Sequence, residues 1–134
     1  MGIRSELEVN YDFEIVDEFL DHYSLMVDVM ELLVLDLTKK DMYKRSVEEL
    51  FRVFHNIKSA SAFLHIEPMT KLAGFVESEL EELRQRETPA NDETINWLLS
   101  ISDMFSQWEK DLEADKEQLT PIKFSLLKIP DTQA

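Results

Sequence analysis

Two glycines in 134 residues constrain this chain more than any other feature. Tight turns draw on glycine for positive φ, and a β-rich domain needs many such turns. The scarcity therefore predicts helices joined by a few short loops. Apolar residues recurring every three or four positions mark four helices. The first runs from about Asp12 to about Leu37, with an inner stripe of Phe13, Val16, Phe19, Leu20, Tyr23, Val27, Met30, Val34 and Leu37. After the loop Thr38-Lys39-Lys40-Asp41, the second opens at Ser46, where Ser46-Val47-Glu48-Glu49 reads as a capping box. Its core face is Val47, Leu50, Phe54, Ile57, Ser61 and Leu64. The third starts near Pro68, a residue suited to a first helical turn, and reaches about Arg86 through Met69, Leu72, Ala73, Val76, Leu80 and Leu83. The fourth begins at Asn91 or Asp92 and carries Ile95, Leu98, Ile101, Phe105, Trp108 and Leu112.

Four amphipathic helices with short connections predict an all-α fold, an antiparallel up-down four-helix bundle over residues 1–115. Residues 116–134 are expected to be a C-terminal extension that packs on the bundle or serves as a linker. Within it Pro121 and Pro130 bracket Ile122 to Ile129, a segment too apolar for a free linker. It is expected to pack on the bundle as a strand-like arm or a short helix. Tyr23, Trp97 and Trp108 are read as core. The chain is long enough to bury about 68 % of its unfolded surface, and one domain accounts for it.

Charge and composition exclude several function classes. The net charge of −14 opposes binding to nucleic acid, whose phosphates it would repel, and to an anionic membrane. No apolar run approaches the roughly 20 residues of a membrane span, and no cleavable signal opens the chain. Cysteine is absent, so there is neither a disulfide framework nor a thiolate metal site. A cytoplasmic protein is expected. A carboxylate-bridged metal oxidase would need Glu-x-x-His pairs, but Phe19, Arg52 and Ala62 stand three before His22, His55 and His65. An autonomous kinase would need a glycine-rich phosphate loop, which Gly2 and Gly74 cannot make. No metal and no cofactor are expected.

The basic residues are unevenly spread. Lys39, Lys40, Lys44, Arg45, Arg52 and Lys58 form a basic island around the second helix. Most read as solvated charges, but Arg52 and Lys58 stand three before and three after His55, on the same side of the helix. An imidazole flanked by cations suits a group that must carry a phosphoryl anion. At about 100° per residue, His55 falls at the edge of the apolar face centred on Phe54, rooted in the core yet open to solvent. Glu77 stands to Val76 on the third helix as His55 stands to Phe54. His22, among Asp17, Glu18 and Asp21, reads as part of a solvated face. Phe63 projects away from the stripe and either closes the helix end against Ile66 or offers an apolar docking contact.

The run Phe51-Arg52-Val53-Phe54-His55-Asn56-Ile57-Lys58-Ser59-Ala60-Ser61-Ala62 resembles the active helix of histidine-containing phosphotransfer (HPt) domains, whose pattern is His-x-x-Lys-(Gly/Ser)-x-(Ala/Ser). The pattern is most similar to the N-terminal phosphotransfer domain of chemotaxis histidine kinases and covers about Asp12 to Leu112. The resemblance implies that His55 is the phosphoacceptor. Glu77 falls on the glutamate that orients the imidazole in the chemotaxis members, holding Nδ1–H and leaving Nε2 as the nucleophile. Lys58, and with it Arg52, would stabilise the transferring oxygens. Ser59 and Ala62 are small enough to admit a partner's loops, with Phe63 as a docking contact. Two positions depart from the pattern: Ser59 follows the lysine where glycine is frequent, and His65 replaces a glycine that ends the helix with positive φ, so the turn into the third helix is expected to differ locally.

The implied function is a phosphorelay carrier and not an enzyme. It would exchange a phosphoryl group with a response regulator receiver domain or a sensor histidine kinase, the partner supplying Mg²⁺ and the catalytic machinery. A monomer is expected, because one bundle accounts for the apolar stripes. A free-standing relay protein is expected, since the chain carries no dimerisation or ATP-binding segment. The competing reading is a helical adaptor that docks such partners without being phosphorylated. It would tolerate replacement of His55.

Overall fold

The computed structural model describes residues 1–130, and these are all-helical, with no strand among them. Five α-helices follow in order: α1 (Ile3–Asn10), α2 (Phe13–Asp36), α3 (Tyr43–Phe63), α4 (Glu67–Arg84) and α5 (Asp92–Glu113). A short 3₁₀ turn, Phe124–Leu127, closes the described chain. The four expected helices are α2 to α5. Asp12 caps α2 by accepting from the Glu14 backbone N–H, and Asn91 caps α5 by accepting from that of Thr94. Both satisfy amides that a helix start leaves without an intrahelical partner.

Contacts across the core show how the long helices run. His55 and Glu48 of α3 meet Glu77 and Arg84 of α4, so these two helices are antiparallel. The buried Tyr43 hydroxyl donates to Leu83 O at 2.7 Å, tying the start of α3 to the end of α4. Ser61 and Thr70 join their other ends, Oγ to Oγ1, at 2.7 Å. Tyr23 of α2 donates to Phe105 O of α5. Phe54, Phe105 and Trp108 interlock edge to face, with centroids 5.4 and 5.1 Å apart, an arrangement that aromatic quadrupoles favour.

Several expectations need correction. α3 starts at Tyr43, so Ser46 lies inside the helix, buried, and makes no capping box; Met42 is the N-cap and offers no side-chain hydrogen bond. Burial of Tyr43 and its bond to Leu83 start the helix three residues before Ser46, ahead of Lys44 and Arg45. Phe13 is 63 % exposed and does not belong to the inner stripe. α2 also carries Leu25, Val29 and Leu32 on its outer side, all exposed, so one bundle does not use all its apolar residues. α1 lacks an apolar stripe; only Leu7 is buried. It is held by its backbone, Ile3 N–H donating to Lys116 O at 2.8 Å, and by Asp115 accepting from the Ser5 amide and hydroxyl.

Two helix ends use the left-handed conformation without glycine. At the end of α3, His65 has φ 60°, Ile66 N–H donates to Ser61 O and His65 N–H to Ala62 O. Asp115 (φ 52°) closes α5 in the same way, through Lys116 N–H to Asp111 O and Asp115 N–H to Leu112 O. These are the paired bonds of the Schellman motif. The expected local difference at His65 is thus one of residue type, while the backbone keeps the glycine-like turn. The His65 ring is engaged as well, with Nδ1 3.1 Å from the Tyr11 hydroxyl.

The C-terminal segment lies on the bundle as a short helix and not as a strand. Trp97 Nε1–H donates to Leu126 O at 2.9 Å and Trp108 Nε1–H to Thr120 O at 2.8 Å. Leu126 is buried. The expected 116–134 extension includes residues 131–134, which lie outside the described residues.

Candidate functional site

The seam between α3 and α4 brings three of the singled-out residues together. His55 Nδ1 lies 3.0 Å from Glu77 Oε2, and Lys58 Nζ lies 2.9 Å from Glu77 Oε1. One carboxylate from α4 therefore holds a ring and an ammonium one turn apart on α3. Val76 and Phe54, both fully buried, anchor the two backbones, and the next residue on each helix emerges at the rim. The His55 side chain is 54 % exposed and that of Glu77 only 16 %. The ring is open to an approaching molecule while its holder is sheltered.

The tautomer follows from charge. Burial pushes the Glu77 carboxyl up, but hydrogen bonds from Lys58 and His55 and their positive charges outweigh it, holding Glu77 below its ordinary value. Glu77 is therefore ionised at neutral pH, and an ionised carboxylate only accepts. Nδ1 must donate. In the neutral ring the lone pair then belongs to Nε2.

Gly74 explains how Lys58 reaches Glu77. A Cβ on Gly74 would stand 3.3 Å from Lys58 Cδ, so the aliphatic stem of Lys58 crosses α4 over the glycine. Gly74 has no positive φ; it serves close approach. Arg52 is not brought to His55. It is exposed, and Nη2 lies 3.9 Å from Glu49 Oε1.

Ser59, Ala62 and Phe63 are exposed, Phe63 to 59 %. Ser59 and Phe63 border a groove of about 540 Å³ between α2 and α3, which also includes Ile15, Phe19, His22 and Leu25. Phe63 does not pack as a closed cap; its nearest ring is Tyr11, with centroids 6.0 Å apart. Sequence reasoning missed Phe51 and Arg84. Phe51 stacks near His55, and the Arg84 guanidinium carbon lies 4.3 Å from the Phe51 centroid. The i, i+4 spacing of Phe51 and His55 carried a signal for the first contact. Arg84 belongs to another helix, and nothing in its local pattern points to it.

Among the described residues no group of three or more acidic or histidine side chains is placed to hold a metal ion. No helix among them is long and apolar enough to cross a membrane.

A family model described as the Hpt domain matches residues 14–118, which takes in α2 to α5 and the start of the C-terminal segment. The chain is also similar to the chemotaxis protein CheA of Borreliella burgdorferi, at 23 % identity over 94 residues. That match covers 70 % of this chain and 11 % of that protein. No solved structure matches the chain.

Proposed function

The chain belongs to the Hpt domain family, and from that membership we propose that His55 is the phosphoacceptor of a two-component phosphorelay. The observation that carries this reading is the ionised Glu77 carboxylate 3.0 Å from His55 Nδ1, on a ring open to solvent. It leaves Nε2 as the free nucleophile.

The donor is an aspartyl phosphate on a response regulator receiver domain, or a phosphoryl group presented by a sensor histidine kinase. Nε2 attacks phosphorus. With a receiver, the P–O bond to the aspartate breaks and the carboxylate leaves with the electron pair. The Nδ1 proton stays in place, so the phosphorylated ring carries an imidazolium charge that Glu77 balances. Return transfer reverses these bonds, the partner's carboxylate attacking phosphorus and the neutral imidazole leaving. Lys58 already stands beside Glu77 and offers a second cation to the incoming oxygens, a preorganised charge of the kind that stabilises a transferring phosphoryl group. Arg52 contributes long-range positive charge only. Mg²⁺ and the remaining catalytic groups come from the partner. Ser59 and Ala62 leave room for its loops, and Phe63 with the α2/α3 groove gives its docking contact. An up-down arrangement of α2 to α5 suits this role, because it fixes two helices side by side with little freedom between them.

The test is incubation with phosphorylated receiver domains and active hybrid kinases, read by intact mass beside His55→Gln. One acid-labile phosphoryl group on the wild type and none on the variant is the expected result. A folded protein that takes no phosphoryl group from any donor in a broad panel would instead support the docking-only adaptor.

A further inference from the structure

Glu77 does not fully define the imidazole. A single hydrogen bond at Nδ1 fixes where the ring is tethered, but the ring can still turn about that contact. A second contact, along the ring face, is needed to set its plane. Phe51 supplies it. One turn before His55 on α3, its ring lies within 7° of parallel to the imidazole, with centroids 6.4 Å apart. This is inside the separation at which offset aromatic pairs attract, and side chains at i and i+4 meet on a helix.

Phe51 is itself held in place. The Arg84 guanidinium carbon lies 4.3 Å from its centroid, within the range of a cation–π contact. Arg84 is fixed in turn, Nε 2.9 Å from Glu48 Oε1 and Nη1 2.7 Å from Glu81 Oε2. A planar fork held at two nitrogens has little freedom. Two carboxylates thus orient a guanidinium, the guanidinium covers an aromatic ring, and that ring runs along the imidazole.

We propose that Phe51, backed by Arg84, is a positioning residue that sets the plane of the His55 ring so that Nε2 faces outward for in-line attack. This rests on the reading of His55 as the phosphoacceptor. Ring misplacement lowers the rate because transfer depends on aligned approach, where small displacements cost orders of magnitude.

The test uses potassium phosphoramidate, a small donor that needs no docking surface. Nε2 bonds to phosphorus, the P–N bond breaks, ammonia leaves with the electron pair, and the ring keeps its Nδ1 proton. Phe51→Leu, Phe51→Tyr and Arg84→Gln are compared with wild type for rate, by ³¹P NMR, and for the His55 ring nitrogens, by ¹⁵N NMR. Phe51→Leu is expected to slow phosphorylation about tenfold and to broaden the Nδ1–H signal. Phe51→Tyr, which keeps the ring, should stay within about twofold of wild type, and Arg84→Gln should fall between. Leu and Tyr variants with equal rates, or a Leu variant with the wild-type rate and Nδ1–H signal, would overturn the proposal. A wild type that takes up no phosphoryl group would count against the phosphoacceptor reading instead, and the ¹⁵N spectra would still decide whether Phe51 orders the ring.

Discussion

Glu77 and Asp111 are both sheltered carboxylates that accept several hydrogen bonds, yet they do opposite work. Asp111, on α5, is fully buried, and its strongest partner is backbone: Oδ2 accepts from Thr120 N–H at 2.7 Å. Oδ1 accepts from Gln107 at 3.0 Å and Lys116 at 3.2 Å. With the two indole bonds to Thr120 O and Leu126 O, it straps the C-terminal segment to the bundle. Glu77 has side-chain partners only, the exposed His55 and the half-exposed Lys58. The difference is one of freedom. A backbone amide cannot leave without moving the chain, so Asp111 fixes structure. Side chains can turn toward a visitor, so Glu77 fixes the orientation of a ring and leaves its other nitrogen free.

The largest way to sharpen this contrast is Asp111→Ala. Removing the buried acceptor leaves the half-buried Thr120 donor and the Lys116 charge without it and frees the segment, and the expected loss is about 3 kcal/mol. Denaturant titration measures it, and phosphorylation of the folded fraction should be unchanged. The two carboxylates also predict an acid response. Burial pushes Asp111 up, but hydrogen bonds from Thr120, Gln107 and Lys116 bring it from 3.8 to about 2. A depressed carboxyl stabilises the fold above its unfolded value and loses that contribution as pH falls through the folded one. On the order of 2 kcal/mol should therefore disappear between about pH 4 and pH 2, with Glu77 adding to the loss below its ordinary 4.5. Asp111→Asn should flatten most of that slope.

The next effect concerns rate and not stability. Glu77→Gln removes the charge that imposes the Nδ1–H tautomer, because an amide can donate as well as accept. Phosphorylation of His55 should slow by about tenfold, less than the roughly 10²–10⁴-fold of a group that itself transfers the proton, while stability changes by less than about 1 kcal/mol. Equal stability losses in the Glu77 and Asp111 variants would break the comparison.

The smallest expected effect is Gly74→Ala. Alanine favours a helix interior over glycine by up to about 1 kcal/mol. The only close neighbour is the flexible Lys58 stem, which can shift by a few tenths of an ångström. The variant should melt slightly higher than wild type. A lower melting temperature would show that the Lys58–Glu77 contact depends on the missing Cβ.

The extent to which this was legible in the sequence follows the same division. Periodicity located α2, α4 and α5 closely, because their buried residues repeat along each helix with little interruption. It failed where tertiary contacts decide. Tyr43 belongs to α3 because Leu83 accepts its hydroxyl, and α1 exists because the turn after α5 offers Asp115 and Lys116 O as partners. His55, Lys58 and Glu77 could be singled out from helical angles and the family pattern. The pairing of Lys58 with Glu77 over Gly74 could not, since it depends on how closely α3 and α4 approach. Arg52 shows the converse: its spacing matched that of Lys58, but its nearest carboxylate is Glu49 on its own helix.

The most direct test of His55 as the phosphoacceptor is ¹⁵N and ³¹P NMR of the ring-labelled protein before and after phosphorylation. A free ring protonated at Nδ1 is expected, and after transfer a single phosphoryl group on Nε2 with the Nδ1 proton retained. A phosphoryl group on Nδ1, or on any residue other than His55, would contradict that expectation.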